Sequence, residues 1–163
     1  MVERHNSTQR PGGSLQNPHY KEVLSIMNKE DIEDATRAFL AKRLENNPGT
    51  TLEFFSENAV VHFPGSEDAS AIASTVRTRA ALEALIEHLF STWRWDAVHI
   101  ESLFLGKNSS VVRYRLEATH LPSGQALSTE SMDEFHFDET GQISTLIEFV
   151  DTAKAAELEA LAQ

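Results

Sequence analysis

Asp133 is the residue least at ease with its neighbours. It lies in residues 126–151, ALSTESMDEFHFDETGQISTLIEFVD. Side chains alternate with period two along a strand, so Ser131, Asp133, Phe135 and Phe137 share one face of an extended segment. A carboxylate in line with two aromatic rings, on a face suited to a core, is a candidate for proton chemistry. A turn at Asp138-Glu139-Thr140-Gly141 folds the segment into a hairpin, with Gly141 supplying a positive φ. With Asp138 opposite Gly141, Asp133 faces Leu146 and Ser131 faces Glu148. Glu148 is then a diagonal neighbour of Asp133, roughly 7–8 Å away at the backbone. A glycine bulge would shift this pairing by one. Two carboxyls in one apolar site oppose each other's ionisation, and burial adds to the effect. A neutral acid donating to a developing enolate, beside an ionised base, is the chemistry such a pair supports. The plainer reading has Asp133 capping a loop or accepting from Tyr114 or an arginine, and Glu148 reaching water at the rim.

Other polar residues compete for a role. Alternation places His62 opposite Val61 and Phe63, although the strand's end at Pro64 can twist it toward a cavity mouth; it is kept as a third catalytic candidate. Arg113, Arg115 and Glu117 share a strand face that most simply is solvated or faces a partner copy. In the sharper reading, Arg115 or Arg113 pairs with Asp133 or with an anionic ligand. No two histidines have a zinc-like spacing and there is no cysteine, so neither a metal site nor a disulfide is expected. No cofactor is expected either.

The elements that must position these groups follow in order. Residues 1–20 are rich in Gly, Pro, Asn, Gln and Ser, and residues 1–28 read as a mobile tail or docking segment, with Tyr20, Val23, Leu24, Ile26 and Met27 as the residues that dock on the body. Residues 29–163 read as one domain. Asn28 caps a first helix carrying Ile32, Ala35, Phe39, Leu40 and Leu44 on one stripe. Thr50 with Glu53 suggests a short second helix over residues 52–56. Residues 59–63 form a strand that Pro64-Gly65 stops, and residues 66–76 read as a flap without regular structure. Thr78 caps a third helix. Three or four antiparallel strands follow: one near 95–105, one over 110–120, and the organising hairpin. Asp151 or Thr152 caps a last Ala-rich helix to Leu161. This order is α+β: a curved antiparallel sheet, cone-shaped, with helices across its concave face and a pocket between them.

Charge and hydropathy narrow the function. The formal net charge is −11, and residues 126–163 hold nine Asp/Glu against one Lys. Such a surface repels phosphate backbones, which argues against nucleic acid. No apolar run is long enough to span a bilayer, and the N-terminus lacks a signal-peptide core. The expectation is a soluble cytoplasmic protein.

The chain resembles the SnoaL-like polyketide cyclases and ketosteroid isomerase relatives of the nuclear transport factor fold. The likeness rests on the helix ending in Asn46-Asn47-Pro48-Gly49, on LEFFSENAVVHFPG, on the helix start at Thr78-Arg79-Ala80-Ala81-Leu82, and on the close at residues 141–152. The resemblance implies a cone lined by Phe39, Phe63, Trp95, Phe135, Leu146 and Val150, with Leu146, Glu148 and Val150 facing inward, and a homodimer formed through the sheet. Ketosteroid isomerases use a helix Tyr, a hairpin acid and a base Asp. Here Phe39 and Phe63 stand at the Tyr and base positions, and only Asp133 matches. Ketosteroid isomerisation itself is therefore not implied. The resemblance implies acid/base proton transfer on an apolar, carbonyl-bearing ligand, as in isomerases, cyclases or hydratases. The alternative is a non-catalytic ligand-binding or dimerisation module of the same fold.

Overall fold

The computed structural model describes residues 26–65 and 74–160. The tail docking read at Tyr20, Val23 and Leu24, the body of the flap, and the helix end at Leu161 lie outside the described residues. The chain runs α1 (Lys29–Arg43), α2 (Pro48–Leu52), β1 (Phe55–Phe63), β2 (Ser74–Val76), α3 (Arg79–Thr92), β3 (Trp93–Leu105), β4 (Ser109–His120), β5 (Gln125–Phe137), β6 (Ile143–Phe149) and α4 (Thr152–Ala160). The strands form one six-stranded sheet in the order β2-β1-β6-β5-β4-β3. The architecture is α+β, and the sheet is open rather than closed into a barrel, since β2 and β3 are its edges. It is also not wholly antiparallel. β1 runs parallel to β6, which arrives beside it only after α3 and four intervening strands, β2 to β5. Register shifts in β3, between Trp95 and Ala97 and between Ile100 and Ser102, supply the extra residues that bend a strand.

Local chemistry sets the helix boundaries. Asn28 Oδ1 accepts from the Asp31 N–H at 2.8 Å, and Glu30 and Asp31 occupy the first turn where the helix dipole favours anions. Thr78 caps α3 the same way. α2 differs from the expected helix over 52–56: it begins at Pro48. Asn47 is its N-cap and accepts from Gly49 and Thr50, and proline suits the first helical position because its missing N–H is not needed there. β1 consequently starts earlier than expected, at Phe55. Part of the expected flap is the short strand β2, which pairs with Val61, His62 and Phe63.

The β5–β6 register is two positions beyond the simple hairpin pairing. Asp138 N–H donates to the Gln142 carbonyl at 2.9 Å, so the turn is one residue longer. A bulge beside His136 and Phe137 adds the second position. A shift of two preserves every face, so the inward set is unchanged. What changes is the pairing: Asp133 stands directly opposite Glu148.

The core lies between the concave face of the sheet, α1 and α3. Phe39 is its hub, with Phe54, Phe55 and Phe135 each edge-on to it at 5.4–5.7 Å between centroids, an arrangement that aromatic quadrupoles favour.

Candidate active site

The buried stripe of α1 is Ile32, Thr36, Phe39, Leu40 and Arg43. The spacing is that of one helix face, and its last member is a cation. Arg43 sits in the final turn, where the helix dipole favours positive charge. Its Nη1 donates to Glu148 Oε2 at 2.8 Å and its Nη2 donates to Glu148 Oε1 at 3.1 Å. This is the two-pronged geometry that a guanidinium and a carboxylate fit best. The side chains are 5% and 2% exposed, so water screens the pair little. The guanidinium also lies over the Trp95 ring, 3.4 Å from its centroid.

Trp95 is itself held from the helix side. Asn46 has φ 53°, the left-handed conformation that asparagine tolerates better than most residues. From there its Oδ1 accepts from the Trp95 N–H at 2.8 Å and its Nδ2 donates to the Trp95 carbonyl at 3.1 Å. An amide side chain thus takes the place of a strand partner at the end of β3.

Beside the ion pair stands a second polar pair. The Tyr114 hydroxyl lies 3.1 Å from both Asp133 oxygens. Tyr114 and Asp133 are fully buried. Burial, followed by the Glu148 charge across the ladder, pushes the Asp133 carboxyl well above the usual carboxylate range; Arg43 and the Tyr114 hydrogen bond oppose this without reversing it. Tyr114 is pushed up as well, first by burial and then by Asp133 and Glu148. Burial works against the Arg43 charge, but Glu148, Tyr114 and Asp133 outweigh it and hold the guanidinium protonated. Four buried polar groups therefore form one electrostatic unit: a cation clamped on a carboxylate, and beside it a carboxyl biased toward its neutral acid and capped by a phenol.

A half-open cavity of about 50 Å³ lies above this unit. Arg43 and Glu148 are its polar floor; Phe63, Leu89, Trp93, Trp95 and Leu127 are among its apolar walls, and Ala155 of α4 closes part of it. Asp133 is not in the cavity wall. It stands beside Glu148, directly opposite it on the adjacent strand β5.

The residues singled out in the sequence divide accordingly. The fold brings Asp133 and Glu148 together. Phe63, Trp95 and Val150 line the cavity with Glu148. Phe39, Phe135 and Leu146 are buried in the core rather than in the cavity wall. His62 points away from the site: its Nδ1 lies 2.7 Å from Thr75 Oγ1 across the β1–β2 pair. Arg115 is half exposed and paired with Glu101 at 3.2 Å, as is its neighbour Arg113 at 3.0 Å, so neither meets Asp133. The partner of Asp133 is Tyr114. The arginine is Arg43, which sequence reading missed. Its signal was its spacing, four after Phe39 and three after Leu40, while the chosen Leu44 lies at the helix end and is exposed. Among the described residues no group of three His, Asp or Glu is placed to hold a metal ion, and no helix is long and apolar enough to cross a membrane.

Comparison with known proteins places this geometry. The family model for the SnoaL-like domain matches residues 27–146. None of the curated proteins matches the sequence. Among solved structures, a Bacillus subtilis protein provisionally assigned as an isomerase superposes with a TM-score of 0.73 at 16% identity, covering 84% of this chain and 98% of that one. SalBIII, described as an epoxide hydrolase/cyclase-like enzyme in pyran ring formation in salinomycin, gives 0.63 at 18% identity, covering 75% and 92%. An NTF2-like protein from Burkholderia thailandensis gives 0.61 at 14% identity, covering 83% and 98%. At such identities the likeness establishes the fold.

Proposed function

We propose that this chain, which belongs to the SnoaL-like domain family, moves a proton on a mainly apolar, carbonyl-bearing small molecule held in the cavity. The observation that carries this is the buried pair of carboxyls, Asp133 and Glu148, directly opposed on β5 and β6 beneath apolar walls. Buried ionisable groups cost stability, and they are retained where they do work. Glu148 meets the ligand and takes the proton next to its carbonyl. Arg43 spends two N–H groups on Glu148, and a guanidinium has five. The remainder face the carbonyl oxygen as negative charge develops on it. Glu148 then returns the proton to the enolate, while Asp133, biased toward its acid form and hydrogen-bonded to Tyr114, keeps a second negative charge out of the site. His62 has no part in this scheme.

The test is deuterium exchange at the carbon next to the carbonyl in a panel of apolar ketones, followed by NMR. Wild type should accelerate exchange of a bound ketone. Glu148→Gln should lose about 10²–10⁴-fold, the usual worth of a positioned acid/base. A ketone that binds and exchanges equally in both proteins would sink the scheme.

A second reading is a ligand-binding or dimerisation module without chemistry. The cavity volume favours it: about 50 Å³ is small beside the roughly 300–1,000 Å³ of most ligand sites, and Phe39 and Phe135 fill the space behind. Binding without exchange is its signature. Pairing of two copies through the sheet belongs to the same reading.

A further inference from the structure

The β5–β6 ladder stops before β5 does. Its last pair is Met132 with Phe149. β6 then leaves the sheet through Val150 and Asp151 to α4, while residues 125–131 of β5 continue, paired only with β4 among the described residues. A notch of about 440 Å³ opens there, lined by the Arg113–Glu130 ion pair, Ser131, Met132 and Phe149, and also by Thr129, Val150 and Asp151. Those last three residues are walls of the inner cavity too. The two hollows are therefore separated by a single layer of side chains.

Two further observations point to an occupant. Ser131 lines the notch, is 3% exposed, and its Oγ has no hydrogen-bond partner among the described residues. An unpaired buried hydroxyl is uncommon and costs stability. Met132 and Phe149 stand at the outer rim, 39% and 41% exposed, as an apolar pair beside Ile147 on a strand face that also carries Arg113, Glu130 and Glu134. A small apolar molecule confined to the inner cavity would use neither feature.

We propose that the cavity and the notch form one elongated site, whose ligand is a chain-bearing carbonyl compound with its head above Arg43 and Glu148, a polar atom of its chain at Ser131, and its apolar tail leaving between Thr129 and Val150 onto Met132 and Phe149. This rests on the function proposed above and names its substrate class: extended rather than compact. Among the described residues α4 is held by Ala155 and Leu158, which pack into the core, and by local polar contacts. Asp151 Oδ1 accepts from the Lys154 N–H, and Lys154 pairs with Glu157.

Binding of straight-chain 2-alkanones from roughly five to roughly fifteen carbons, by calorimetry, tests this. If the tail runs through the notch, affinity keeps rising along the series, by up to about fourfold for each methylene taken out of water. Thr129→Phe, which narrows the passage, and Met132→Glu, at the rim, should each flatten that rise, read as the ratio of long-chain to short-chain affinity. Affinity that stops rising at the short end, with a ratio unmoved by either variant, overturns the elongated site and leaves the proton-transfer reading standing. No binding at any length overturns both. If Met132→Glu lowers the molecular mass in sedimentation, the rim belongs to a second copy of the chain and the inference fails.

Discussion

Replacing Arg43 by methionine isolates the ion pair at the cavity floor. Methionine keeps the unbranched stem and most of the volume of the side chain but ends two atoms short of the Nη groups, so the main loss is the charge and its two hydrogen bonds. Both Glu148 oxygens are engaged, at 2.8 and 3.1 Å, and the Glu148 side chain is 2% exposed. The variant therefore strands a carboxylate that has little access to water. Removing one partner of such a pair costs about 3–5 kcal/mol, whereas exchanging both for apolar residues is often neutral. With a urea slope of about 2 kcal/mol per molar, the midpoint should fall by roughly 2 M. The double variant Arg43→Met, Glu148→Met should recover most of that, which a urea double-mutant cycle reads as a coupling of about 3 kcal/mol. A loss below about 1 kcal/mol for Arg43→Met, or a double variant no better than the single, would mean that the ion pair is screened as a surface pair is.

Two further predictions concern the second pair. The folded-state pKa of Asp133 is raised, so the unfolded chain loses its proton first, near pH 4. Stability attributable to this group is thus complete below about pH 4 and declines as pH rises toward and through the raised folded value. Asp133→Asn, which cannot ionise, should gain on wild type in urea midpoint from pH 4 to pH 8; a difference that shrinks or reverses contradicts the assignment. Tyr114→Phe removes the hydroxyl at 3.1 Å from both Asp133 oxygens and should cost about 1–3 kcal/mol, the penalty for an unsatisfied buried group. The loss should grow as pH rises toward the ionisation of Asp133, whose carboxylate needs the donor most; a loss that shrinks as pH rises would count against it.

Much of the fold was legible because its signals are local. Asn28 and Thr78 cap helices, period-two alternation sets the inward face of β5, and Gly141 marks the hairpin turn, with φ 82°. The pairing of Asp133 with Glu148 was not legible. It depends on a turn that closes at Gln142 and on a bulge beside His136, and neither has a compelling composition. A slip of two leaves the hydrophobic pattern intact, so the pattern could not reveal it. Arg43 was missed for a different reason. An arginine at the end of a helix reads as a solvated cation interacting with the dipole, and only the tertiary placement of Glu148, 105 residues away, turns it inward. The α2 boundary moved because two caps, Asn47 and Thr50, compete within four residues, and the one followed by proline won.

The central claim is that the site holds one carboxyl as a neutral acid beside another clamped by arginine. Infrared difference spectroscopy with isotope-labelled aspartate tests it most directly, at about pH 6, some two units above an ordinary aspartate. Wild type should show a protonated-carboxyl stretching band that disappears in Asp133→Asn. A wild-type spectrum showing only ionised aspartate at that pH would contradict it.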